Sequence, residues 1–78
     1  MAKSVAMNVF LENLKFAMEE RGLNTSTLAT RSGLSISSMS RVLNGKEKMT
    51  IERAERVATA VGFSLSELFS HDFQKTPA

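Results

Sequence analysis

The sequence predicts an all-α, compact five-helix domain, and three observations predict it. Gly22, Gly33, Gly45 and Gly62 divide the chain into pieces of about two to four helical turns. Within each piece the apolar residues recur at three- and four-residue spacing, the period of a helix with one buried face. The β-branched runs and strict alternation that mark strands are missing. Seventy-eight residues suffice for one domain, expected over 1–72, with 73–78 as a flexible tail.

The first helix is expected from about Ala6 to Arg21, where Phe10, Leu14, Ala17 and Met18 form one apolar stripe. Gly22 supplies a left-handed stop, and Leu23 tucks back towards the core. The second helix, about Thr25 to Ser32, is capped by Asn24 and turns Leu28 and Ala29 inward. Gly33 ends it, and Leu34 anchors the turn. Ser35 caps the third helix, about Ile36 to Leu43, with Met39, Val42 and Leu43 towards the core. The fourth, about Ile51 to Val61, follows the cap Thr50. Its apolar face is read as Ile51, Ala54, Val57, Ala58 and Val61, and Gly62 stops it. The fifth, about Leu65 to Ser70, opens on Ser64-Leu65-Ser66-Glu67, a capping box. Leu65, Leu68 and Phe69 form its apolar side.

Composition narrows the function. The chain has no Cys and one His (His71), so disulfides, thiolate metal sites and a self-sufficient zinc site are excluded. No cofactor or metal is expected. No apolar run approaches the roughly 20 residues of a membrane span, and the N-terminus lacks the pattern of a signal peptide. A cytoplasmic location is expected. Catalysis is not: His71 has no nucleophile beside it, and the adjacent Glu19 and Glu20 point to different sides of a helix. Between Arg21 and Lys46 the chain carries Arg21, Arg31, Arg41 and Lys46 and no acid. A basic stretch of this kind favours a polyanion.

The informative stretch runs from Leu23 to Gly45. Two helices with so short a connection must cross steeply. Ala29 is small where the second helix passes, Gly33 permits the turn, and Leu34 fills the notch. Ser37, Ser38, Ser40 and Arg41 are left as the exposed side of the third helix. This is a helix-turn-helix pattern.

With Leu28-Ala29, Gly33, Leu34-Ser35, Met39 and Leu43-Asn44-Gly45-Lys46, the chain resembles the lambda-repressor-like family of Cro and repressor-type, XRE-like, helix-turn-helix regulators. The likeness continues through Thr50-Ile51-Glu52, Val57-Ala58 and Ser64-Leu65-Ser66-Glu67-Leu68-Phe69, covering about residues 8 to 70. It implies that the third helix, 36–43, docks in the major groove of double-stranded DNA. Base-edge contacts are then expected from Ile36, Ser37, Ser38, Ser40 and Arg41. Arg41 suits guanine O6 and N7, and Ile36 a thymine methyl. Phosphate contacts are expected from Thr25, Ser26, Thr27, Asn44, Lys46 and Thr50, with Arg31 and Lys48 as weaker candidates. Two positions depart from the family pattern. Thr25 stands where many members carry a Gln that braces the first base-reading side chain. Met18 and Leu43 stand where some members pair an Arg with a Glu.

The resemblance also implies a homodimer on an inverted-repeat operator, with recognition helices about one DNA turn (~34 Å) apart. Leu65, Phe69 and Phe73 are expected near the centre of its interface. A repressor of the stand-alone phage or plasmid type is the leading expectation. The alternatives are an antitoxin bound to a toxin, or a restriction–modification controller that activates. For activation, Glu47 with Glu52 is the one candidate acidic patch for RNA polymerase.

Overall fold

The computed structural model describes residues 5–70. Five helices follow in chain order: α1 (Val5–Glu20), α2 (Thr25–Ser32), α3 (Ile36–Leu43), α4 (Ile51–Val61) and α5 (Leu65–Leu68), with no strand among the described residues. The first begins and ends one residue earlier than the sequence suggests. The last is a single turn that stops two residues short of Ser70. The proposed tail, 73–78, lies outside the described residues.

The caps explain the sharp boundaries. Asn24, Ser35, Thr50 and Ser64 each hold extended backbone angles and accept a hydrogen bond from the N–H three residues on. Each satisfies one of the donors that a helix start leaves without an intrahelical partner. Glu67 completes the capping box by accepting from the Ser64 N–H at 2.8 Å. At the end of α2, Gly33 sits at φ +72°, where a side chain is strained. Its conformation lets the Leu34 N–H reach back to the Ala29 carbonyl at 2.9 Å. This bond closes α2 and aims the chain at once into α3.

A shared hydrophobic register packs the short helices. In α2 to α5 the residue before the cap is apolar, and so is the fourth helical residue. The pairs are Leu23 and Leu28, Leu34 and Met39, Met49 and Ala54, Phe63 and Leu68, and all eight belong to the core or pack against it. In α3 and α4 the first helical residue points away from the core, with Ile36 54% exposed and Ile51 66% exposed, whereas Leu65, the first residue of α5, packs against it. Ile51 is therefore not part of the buried face of α4, as its spacing suggests; Met49 enters the core instead. Ala54, Val57, Ala58 and Val61 are buried as expected.

The core is centred on Phe10, Leu14, Leu28, Met39, Val42, Val57, Val61 and Leu68, all essentially inaccessible to solvent. Met18 and Leu43 are buried too, so an apolar pair occupies the two positions noted above. Two polar side chains lock the ends of the bundle. The buried Asn13 amide donates to the carbonyls of Leu68 and Ser70, each at 2.8 Å, tying α1 to the end of α5. Arg21 donates from Nε to the Val61 carbonyl and lies over the Phe63 ring, 4.6 Å from its centroid. A cation at the carbonyl end of α4 is well placed electrostatically, and the ring gains a cation–π contact.

Candidate nucleic-acid interface

The packing of α3 against α2 leaves one side of α3 outside the core. Ile36, Ser37 and Arg41 are exposed and Ser40 is half-buried; Ser38, Met39, Val42 and Leu43 are buried. The outward side is thus 36, 37, 40 and 41, the i, i+1, i+4, i+5 pattern of one helical face. Ser38 is misplaced by the sequence reading. Its hydroxyl faces inward and donates to Glu47 Oε2 at 3.2 Å, while its N–H donates to the Ser35 cap. Ser37 has no side-chain partner among the described residues. Ser40 Oγ accepts a long contact, 3.4 Å, from Asn44 Nδ2.

The residues expected at phosphates frame this side. Ser26 is exposed, and Thr25 and Thr27 half-buried, at the start of α2. Thr27 is already engaged, since its N–H and its hydroxyl both donate to Asn24 Oδ1, at 2.8 and 2.9 Å. Asn44, Lys46, Lys48 and Thr50 are exposed beyond α3, and Thr50 Oγ1 accepts from the Arg53 N–H at 3.2 Å.

The charges are arranged differently from their order in the chain. Arg21 is used at the end of α4, as described above. Arg31 lines a cleft with Glu52, Glu55 and Arg56 of α4. Arg41 is paired: its Nε donates to Glu47 Oε1 at 2.8 Å. The other oxygen, Oε2, accepts from Arg53 Nη1 at 2.7 Å. Glu47 and Glu52 do not form an acidic patch. Glu47 is held by two arginines, and Glu52 lies 3.8 Å from Arg56. Near the end of α3 Glu47 is paired with Arg41 and Arg53, and the exposed Lys46 and Lys48 flank it in the loop.

The sequence reading missed the role of Glu47 and the contribution of Arg53. Neither follows a helix-spacing rule. Gly45, at φ +72°, lets the Lys46 N–H bond the Arg41 carbonyl at 2.8 Å and folds the loop back along α3. The one available signal was the left-handed stop Asn44-Gly45 with an acid two residues later.

The Glu47 carboxyl is held far below its ordinary value, from 4.5 to about 2, by hydrogen bonds from Arg41, Arg53 and Ser38 that outweigh its partial burial. A carboxylate whose folded-state pKa is depressed adds stability that is complete above about 4.5 and vanishes as the pH falls to about 2. Glu47→Gln is therefore expected to lose less stability than the parent across that window. The gain is modest because the group is partly exposed. Urea midpoints measured at several pH values check it; parallel curves for the two proteins would contradict it.

The proposed dimer residues behave unevenly. Leu65 and Phe69 are half-buried and pack against the core, with the Phe69 ring 4.9 Å from that of Phe10 at a 34° tilt. The monomer thus absorbs more of this apolar surface than its composition suggests. Phe73 lies outside the described residues.

A sequence model described as a Cro/C1-type HTH DNA-binding domain matches residues 13–74, from within α1 to beyond α5. No curated protein and no solved structure matches the chain.

Proposed function

This chain belongs to the family of Cro/C1-type HTH DNA-binding domains and is a DNA-binding regulator; we propose that it is a repressor, acting as a homodimer on an inverted-repeat operator. Helix α3 enters the major groove. Arg41 reads guanine, Ser37 and Ser40 make adaptable hydrogen bonds, and Ile36 lies against a thymine methyl. Ser26, Asn44, Lys46 and the N-terminus of α4 at Thr50 grip the flanking phosphates.

The observation that carries this reading is the outward side of α3. It presents two hydroxyls, a guanidinium and an isolated aliphatic side chain, next to a loop with exposed lysines. A helix that buried this side against another helix would need apolar residues at 37, 40 and 41. The dimer follows from site size, since one α3 reaches about half an operator. Leu65, Phe69 and Phe73 remain its proposed centre.

Selection from random duplex DNA tests the proposal. The bound sequences are expected to converge on an inverted repeat with half-sites about one helical turn apart, and the complex is expected to sediment with two protein chains. Convergence on a single half-site, with one chain per duplex at micromolar protein, would remove the dimer. No convergence at all would remove sequence-specific regulation.

A further inference from the structure

The link between Arg41 and Glu47 bears on how the base is read. A guanidinium has five N–H donors in a rigid plane. Arg41 commits only Nε, to Glu47 Oε1 at 2.8 Å, and its terminal nitrogens have no acceptor among the described residues. The side chain is 53% exposed. A bidentate contact to guanine requires a pair of donors, and such a pair remains after Nε is used.

Glu47 is itself fixed without help from Arg41. Its Oε2 accepts from Arg53 Nη1 on α4 at 2.7 Å and from the buried Ser38 hydroxyl on α3 at 3.2 Å. The carboxylate therefore stays in place whatever Arg41 does. A free arginine on an exposed helix loses rotamer freedom when it docks on a base. Arg41 has given up part of that freedom before DNA arrives.

We propose that Glu47 is a positioning residue for base recognition: anchored by Ser38 and Arg53, it holds Arg41 by Nε and leaves the terminal donors for a guanine edge. This rests on the reading of Arg41 given above. The opposite role, a lock that withholds Arg41 from DNA, is disfavoured by the geometry, because the terminal donors are not the ones engaged.

The test measures discrimination at single base pairs for the full chain and for Arg41→Ala, Glu47→Gln and the double variant. Affinity for the selected operator is compared with affinity for operators altered one pair at a time. Arg41→Ala is expected to abolish discrimination at one pair in each half-site. Glu47→Gln is expected to lower discrimination at that same pair by ~2–12-fold, the cost of ordering one long side chain. It should leave other pairs unchanged, and binding to unrelated DNA equal or tighter, since a negative charge is gone. In the Arg41→Ala background Glu47→Gln should have no further effect on discrimination.

If Glu47→Gln leaves discrimination intact or raises it while Arg41→Ala lowers it, the positioning role is wrong and the Arg41 reading stands. If Arg41→Ala relaxes no position, both fall. Circular dichroism monitors folding. Should Glu47→Gln not fold, Glu47→Asp, which keeps the charge but shortens the arm, is read by the same two outcomes.

Discussion

Phe10→Ala is expected to leave much of the chain unfolded at physiological temperature. The Phe10 ring is wholly buried, lies against Phe69 at 4.9 Å, and sits where α1 closes over the core. Removing a buried aromatic ring costs ~3–5 kcal/mol, from lost transfer free energy and from the cavity left behind. A small domain has little more than ~5 kcal/mol to lose. The melting temperature should fall by roughly 12–40 °C, at ~4–8 °C per kcal/mol for a domain of this size. Circular dichroism melts measure this directly. Ile36→Ala and Ile51→Ala serve as internal comparisons. Both side chains are large and apolar, yet both are exposed, so each should cost ~0.5 kcal/mol or less. If Ile51→Ala destabilised as Phe10→Ala does, the register argument for α4 would be wrong.

Arg41→Ala and Lys46→Ala are expected to impair DNA binding in different ways. Arg41 is offered for a base edge. Its loss should relax preference at one base pair in each half-site by ~1–3 kcal/mol, roughly 5-fold to 160-fold in affinity ratio. Lys46 is exposed in the loop after α3, with no ion-pair partner among the described residues. Its loss should weaken all sequences alike and reduce the slope of log affinity against log salt by about one per contact. Titrations of operator and altered operators at several salt concentrations separate the two. A uniform loss for Arg41→Ala would assign it to phosphate instead.

The pairing of Arg41 with Glu47 is not legible from helix phase. Arg41 was identifiable by its place on the third helix, because a helix of known phase fixes which positions share a side. The same phase should have turned Ser38 inward, since it precedes Met39 and sits four before Val42. A small polar residue is usually exposed, but the Ser38 hydroxyl has a carboxylate to serve. Counted along the chain, Arg21 belongs to a basic stretch. The fold sends it to the far end of α4.

The sequence alone determined the five helices and the limits of α2, α3 and α4. Asn24, Ser35, Thr50 and Ser64 start α2 to α5, and Gly33 and Gly62 stop α2 and α4. These are local effects: a cap acts within three residues, and a helical stripe repeats every turn. Membership of the HTH family also lay in the sequence, because the tight α2–α3 crossing needs small and flexible residues at set positions. Only the tertiary structure decided which charges neutralise one another. It brought Glu47 between Arg41 and Arg53, set Glu52 beside Arg56, and left Ile51 in solvent. Pairing of charges depends on distance through space, and a loop of seven residues between α3 and α4 sets that distance in a way no periodic rule encodes.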